Sequence, residues 1–292
     1  MKEKHLNISS EKVFDIVNNL LLVLIAVIIV VPLWNIVISS FSSGKALAEG
    51  GFIFFPKEYS LENYRTVLRD SSIWKSYLIS IAKTVIGVIT HLFFCSMVAF
   101  AMSKQYLRGR KLYTAMGVIT MFFSGGMIPT YLLMKNLGLL NNFMVYILPQ
   151  LFSYYDMVIL MNFFRQVPPS LEESAQIDGA GVWTVFLRII LPLSKPALAT
   201  IALFNGVYQW NDFMTAKLYV TNKDLYPVQM KLYEIIVQQQ TQTMSVGSFV
   251  METTTKGVQL ATIVITTVPI VIVYPMLQKH FVSGMMLGAV KE

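Results

Sequence analysis

Six runs of apolar residues, each about as long as the hydrocarbon core of a bilayer is thick, leave this chain few ways to fold. They cover about 13–38, 76–102, 112–134, 143–163, 197–218 and 258–277. At about 1.5 Å rise per residue, some 20 helical residues cross a core of about 30 Å with every backbone N–H and C=O bonded inside the segment. An open strand cannot do this. The chain is 55% hydrophobic and only 13% charged, so there is too little polar surface left to clothe a soluble domain of this length. The expected fold is therefore an all-α membrane protein, a single transmembrane domain over residues 1–292 with six helices. The first run follows Lys2, Lys4, His5 and Lys12, as a signal peptide would, but it is too long for one and lacks a small-residue cleavage site. It reads as a spanning helix, slightly kinked at Pro32.

Composition also removes several classes of function. The net charge of +7 is dispersed among the apolar runs with no basic stripe interleaved with aromatics, so anionic lipid headgroups are a better counter-charge than nucleic acid. The single cysteine, Cys95, lies inside a span, which rules out an intrachain disulfide and a cysteine-based metal site. No metal site and no catalytic constellation is expected: neither H-E-x-x-H nor G-x-S-x-G occurs. Lysine and arginine near the span ends show a modest bias, carried by the short loop with Lys104, Arg108, Arg110 and Lys111. It places both termini on the cytoplasmic side of the membrane.

One stretch breaks the apolar pattern. Pro168 to Pro192 is polar, helix-capable and flanked by spans, so it can only lie outside the bilayer. Ser170 with Glu173 spells a capping box, which predicts a short helix from Leu171. Asp178-Gly179 predicts its end, because Gly accepts the left-handed conformation of a helix C-terminus, and Gly181 adds a second joint. A second helix is expected from about Trp183 into Pro192.

These residues resemble the coupling-loop signature of binding-protein-dependent import permeases: E-A-A, three residues, G, nine residues, I-x-L-P. The matching positions are Glu173, Ala175, Gly179, Ile189, Leu191 and Pro192, with Ser174 where a second Ala is usual. The end of the chain is similar to the tail of the smaller sugar permease of the maltose-transporter type, commonly Q-R-Y-F-V-R-G-L-T-A-G-A-V-K-G. It matches at Gln278, Phe281, Val282, Gly284, Gly288, Ala289, Val290 and Lys291, and departs at Ser283 and Glu292. Asp178 to Ala180, Trp210 to Asp212 and the Tyr274-Pro275 pair resemble the branch that imports complex oligosaccharides.

The resemblance implies a type I ABC importer permease fold. It implies that Glu173, Ser174, Ala175, Asp178, Gly179, Ile189, Leu191 and Pro192 couple to an ATPase, and that a tail with Gly284, Gly288 and Lys291 contacts that ATPase. The implied partners are a second permease in a heterodimer, two ATPase subunits and an extracellular solute-binding lipoprotein. ATP and magnesium would sit on the ATPase and no cofactor on this chain. In keeping with that, no G-x-x-x-x-G-K-[ST] loop occurs, and Gly44-Lys45-Ala46 lacks both the upstream Gly and the hydroxyl.

Ionisable groups inside spans are functional candidates by default. Lys83 falls in the outer third of the second run, from where it can snorkel. His91 and Asp156 both count to about 20 Å from the outer span ends, so they can pair if the second and fourth spans touch. Tyr154, Tyr155, Asp156, Trp210, Asn211 and Asp212 are candidates to line a sugar path, since aromatic faces stack on sugar rings while amides and carboxylates accept their hydroxyls. A belt of interfacial aromatics is an equal reading of the same residues. The outer segments 39–75 and 211–256 are long enough to bind something, and 228–240 can form a short helix. The alternative function is an ion-coupled secondary transporter working alone. Such a protein needs intramembrane carboxylates and usually shows repeated halves, and here one carboxylate, Asp156, lies well inside a span with no repeat.

Overall fold

A computed structural model describes residues 10–56, 58–245, 256–273 and 275, and among these it is helical with one isolated β-bridge, Ser42 to Tyr59. The tail residues Gly284, Gly288 and Lys291 lie outside the described residues. Helices α1 (Ser10–Ser40), α4 (Ser71–Ser103) and α13 (Lys256–Val273) are each long and apolar enough to cross a membrane. Three bent pairs bring the possible spans to six.

The bends differ from the straight runs expected. Residues 112–134 were expected to be one span, but α5 (Arg110–Phe122) and α6 (Met127–Asn136) meet at 114°. Phe123 is extended and Gly126 sits at φ +83°, a conformation open to Gly and closed to most side chains, so Ser124-Gly125-Gly126 breaks the ladder. In 143–163, two 3-10 turns (Phe143–Tyr146 and Leu148–Gln150) precede α7 (Tyr154–Phe164) at 51°, and Ser153 caps α7 by accepting from the Asp156 amide at 3.3 Å. The fifth run also ends earlier than expected. α11 (Lys195–Asn211) stops at an extended Asp212, and α12 (Met214–Tyr219) starts afresh.

Two compact units divide the chain, one through Arg69 with Ile236–Ile265, the other from Asp70 to Ile235 with residues from Thr266 on. In the first, the segment after α1 carries α2 (Gly44–Ala48) and α3 (Glu62–Arg69). Buried Asn63 ties this segment to the end of α1 by donating to the carbonyls of Ser40 and Ser42 at 3.2 and 3.1 Å. Tyr64 stacks on Phe41 and shares a 2.6 Å hydrogen bond with Ser40, and burial raises its phenol above the usual pKa.

The second unit is built around α4. Its buried positions Ile73, Ser76, Ser80, Lys83, Gly87, His91, Cys95 and Ala99 recur every three or four residues and so form one stripe. That stripe meets α7 and α11. Toward the start of α4 lies an apolar cluster with Val145, Tyr146, Ile147, Val220 and Met230, against which Ile79 packs. Toward its end lies another, with Cys95, Phe100, Met157, Leu160, Phe186, Ile190 and Ile201. Lys83, Gly87 and His91 fall between these two positions on the helix, so the middle of the span is polar and both ends are dry. Gly87 makes room there for buried Gln209, whose amide nitrogen would stand 2.7 Å from an added Cβ and have to shift.

Candidate coupling site

The hairpin begins with α8 (Pro169–Ile177), two residues before the start at Leu171 that the sequence suggests. The N-cap is Pro168, without a side-chain cap bond, so the expected Ser170 and Glu173 capping box does not form. Pro169 explains the shift: its fixed φ suits the first helical position and it has no N–H to satisfy, which lets the helix start there and leaves Ser170 inside it. The end of α8 is as the sequence suggests. Gly179 stands at φ +83° behind the C-cap Asp178. Its N–H donates to the Gln176 carbonyl at 3.0 Å, and the N–H of Ala180 reaches back to Ala175 at 2.8 Å. This is a Schellman closure, and the left-handed residue is what makes both bonds possible at once. Gly181, by contrast, is an ordinary extended residue at φ −73° and forms the N-cap of the return arm.

The return arm is α9 (Val182–Val185), a π-turn over Phe186–Ile190, and α10 (Leu191–Leu193). Pro192 accounts for the widened turn. Without an N–H, and with a ring that crowds the carbonyl four residues back, it cannot continue an α ladder, and the N–H of Leu191 bonds to Phe186 five residues back. The wider turn brings Val185, Phe186 and Ile190 into the apolar cluster at the end of α4 while Ile189 and Leu191 are only partly covered. Phe186 packs in a tilted arrangement at 5.2 Å against Phe100 of α4 and meets Trp183 edge-on at 5.9 Å.

A charge completes the footing. Glu172 of α8 accepts from Lys104, the C-cap of α4, in a partly buried ion pair, and the same ammonium lies 4.3 Å over the Phe100 ring. Glu172 was not singled out by sequence, and Lys104 stood out only as one of the positive charges in the short loop after the second apolar run. The face turned away from the footing is open: Glu173, Ser174 and Asp178 are exposed there. So are Ile177 (86%), Val182, Trp183 and Leu187, an apolar surface too large to leave to water on a folded hairpin.

The six candidate path residues do not converge. The Tyr154 ring covers Gly117, where a Cβ would come within 1.9 Å of it, and its hydroxyl donates to Thr114. Trp210 is buried, with its indole N–H on the Thr266 carbonyl at 3.1 Å. Tyr155 and Asn211 are exposed, Asn211 donating to its own helix at Val207. Asp156 is paired with His91, Nε2 to Oδ2 at 3.1 Å, while Nδ1 of the same ring faces the Gln150 carbonyl at 2.7 Å. Asp212 is paired with Lys83, whose Nζ lies 3.2 Å from its Oδ2 and 2.7 Å from its own carbonyl oxygen. Lys83 therefore does not snorkel. It is fully buried, because its carboxylate partner is inside the fold and not at the surface.

Broken spans, paired charges at mid-membrane and a folded hairpin presented outside the spans define a multi-pass transport permease. The chain belongs to the family described as binding-protein-dependent transport system inner membrane component, whose model matches residues 8–287. It is 42% identical over 287 residues to protein LplC of Bacillus subtilis (strain 168), covering 98% of this chain and 97% of that one. It is 41% identical to the polygalacturonan/rhamnogalacturonan transport system permease protein YtcP of the same organism, with 96% and 99% covered. Among solved structures, a chain of a bacterial ABC transporter involved in the import of the acidic polysaccharide alginate superposes with a TM-score of 0.83 at 34% identity, over 93% of this chain and 98% of that one.

Proposed function

We propose that this chain is one of two permease halves in an ATP-driven importer of oligosaccharides, fed by a solute-binding protein and powered by a pair of ATPase subunits. The observation that carries the reading is the hairpin. It is rigidly closed at Gly179, footed on α4 through Lys104, Glu172, Phe100 and Phe186, and apolar on its free face at Ile177, Val182, Trp183 and Leu187. Such a surface suits a protein that pushes on it. Glu173, Ser174 and Asp178 rim that face, and Gly284, Gly288 and Lys291 of the tail are assigned to the same ATPase. ATP and magnesium belong to the ATPase, and this chain hydrolyses nothing. The names of two relatives, one for polygalacturonan and rhamnogalacturonan and one for alginate, support fragments of complex polysaccharides as the cargo.

The test is reconstitution. In liposomes with the second permease, the ATPase and the binding protein, uptake of labelled oligosaccharide should require ATP, and the chain alone should neither hydrolyse ATP nor move sugar. Accumulation by the chain alone under a proton or sodium gradient would refute the importer reading in favour of a secondary transporter.

Both termini and the hairpin are assigned to the cytoplasmic side of the plasma membrane. In a Cys95→Ser background, Tyr59→Cys, which is 68% exposed, should react with an impermeant thiol reagent on intact cells. Tyr106→Cys, 80% exposed in the loop after α4, should react only after permeabilisation, and the reverse pattern would invert the topology.

A further inference from the structure

The segment that follows α1 carries an aromatic surface that the transport reading does not use. Residues 50–56 read Gly-Gly-Phe-Ile-Phe-Phe-Pro, with no charge. Gly50 and Gly51 both stand at positive φ, +70° and +84°, which lets the chain turn back on itself. The returning segment is bonded to α1. The indole N–H of Trp34 donates to the Phe54 carbonyl at 3.0 Å, and the amide of Asn35 donates to the Ile53 carbonyl at 3.1 Å. Ile53 is buried, while Phe52 and Phe54, whose rings meet at 4.7 Å, are about half exposed and Phe55 is 78% exposed.

The level at which this happens on α1 decides what the rings face. From Leu20 to Ile38 the helix is apolar except for Asn35. At 1.5 Å per residue this is about 28 Å, close to the thickness of a hydrocarbon core. Trp34 sits four residues before the end of that stretch, about 6 Å inside it, and helical side chains lean toward the N-terminus, which sets the contact no shallower. Irregular backbone at that depth needs its carbonyls bonded internally. Trp34 and Asn35 do that for two consecutive ones, and Asn35 thereby accounts for the polar residue in an otherwise unbroken run. The outward side of the loop is then three phenyl rings on uncharged chain, continuous with the exposed apolar surface of α1.

We propose that Phe52, Phe54 and Phe55 form a re-entrant lipid anchor, immersed at the boundary between headgroups and acyl chains at the end of α1 remote from the N-terminus. Aromatic rings favour that layer, and an anchor there fixes the depth of α1 and of the segment hung from it by Asn63. The occupant is the bilayer itself and not a soluble partner, because the loop reaches below the level at which water or a soluble protein could cover it.

The test uses nitroxide labels in the assembled transporter in liposomes of phosphatidylethanolamine and phosphatidylglycerol. In the Cys95→Ser background, single labels go at Phe52→Cys, Phe55→Cys, Leu24→Cys in mid-α1 and Tyr106→Cys as the aqueous reference. Oxygen collides most in lipid and a water-soluble nickel chelate most in water. The labels at Phe52 and Phe55 should show high oxygen accessibility, nickel accessibility about tenfold below that at Tyr106, and an immersion depth of about 5–10 Å. Nickel accessibility equal to that at Tyr106 would put the loop in water. Low accessibility to both reagents would put it under a protein partner. Either result overturns the anchor, and neither touches the importer reading, which uptake measures separately.

Discussion

Gly179→Val should abolish sugar uptake by the assembled complex while leaving the amount of chain in the membrane near normal. The residue stands at φ +83° with nothing within 4 Å of where a Cβ would go, so the obstacle is the backbone and not crowding. A β-branched residue held in that conformation is strained by about 1–3 kcal/mol. The chain escapes by giving up the left-handed turn, and with it both closing bonds, to Gln176 and to Ala175. The return arm then leaves α8 in a new direction, and Ile177, Val182 and Trp183 no longer form one face. Because no span depends on Gly179, insertion is spared. Uptake and sugar-stimulated ATP hydrolysis, measured with the binding protein present, should both fall to background. A Gly179→Asn control should keep a substantial part of both, since Asn tolerates the left-handed region better than any β-branched residue. Normal uptake by Gly179→Val would reduce the hairpin to a connector.

The largest stability effect is expected at Lys83 and Asp212. Both are inside the fold, and removing one member of a buried pair strands the other at a cost of about 3–5 kcal/mol. Asp212→Asn keeps the side-chain oxygen that accepts from Thr215 but leaves the ammonium uncompensated, so it isolates the charge. Lys83→Met strands the carboxylate instead. The double variant removes both charges and should lose clearly less than the two single losses added together, the signature of a pair. Cys95 supplies the readout, because it is fully buried and the only cysteine: the temperature at which it becomes reactive to a thiol dye marks the loss of packing around α4. Single variants whose Cys95 is uncovered at the wild-type temperature would show that the pair holds nothing together.

How far the fold could be read from sequence depends on how local its cause is. The spans were legible because hydropathy is a property of each run, and the closure at Gly179 because an Asp-Gly after a helical stretch carries its own geometry. The start of α8 was misplaced by a rule of the same local kind: the capping box at Ser170 competes with Pro169 at the first helical position, and the proline wins. The break at Ser124-Gly125-Gly126 was written in the residues but was masked by the hydropathy on either side. His91 and Asp156 could be matched by counting depth, because a membrane reduces the search for a partner to nearly one dimension. Lys83 could be placed by depth but not partnered, and Asp212, a candidate for the sugar path by residue type, is its counter-ion in the fold. The place of Tyr154 was not legible either, since nothing in its identity says that Gly117 lies beneath its ring.

The polar middle of α4 also has a consequence for how the protein is made. Lys83 is 129 residues ahead of the aspartate that neutralises it, and His91 is 65 ahead of its own. At about 5–20 residues per second, the ribosome needs roughly 6–26 seconds after finishing Lys83 to deliver Asp212. For that interval α4 is a helix with an uncompensated ammonium inside its span, which favours holding it beside water or in the insertion machinery over releasing it into lipid. Its release then waits on the arrival of the segment at the end of α11, so the helix around which the second unit is packed is expected to settle well after it is synthesised.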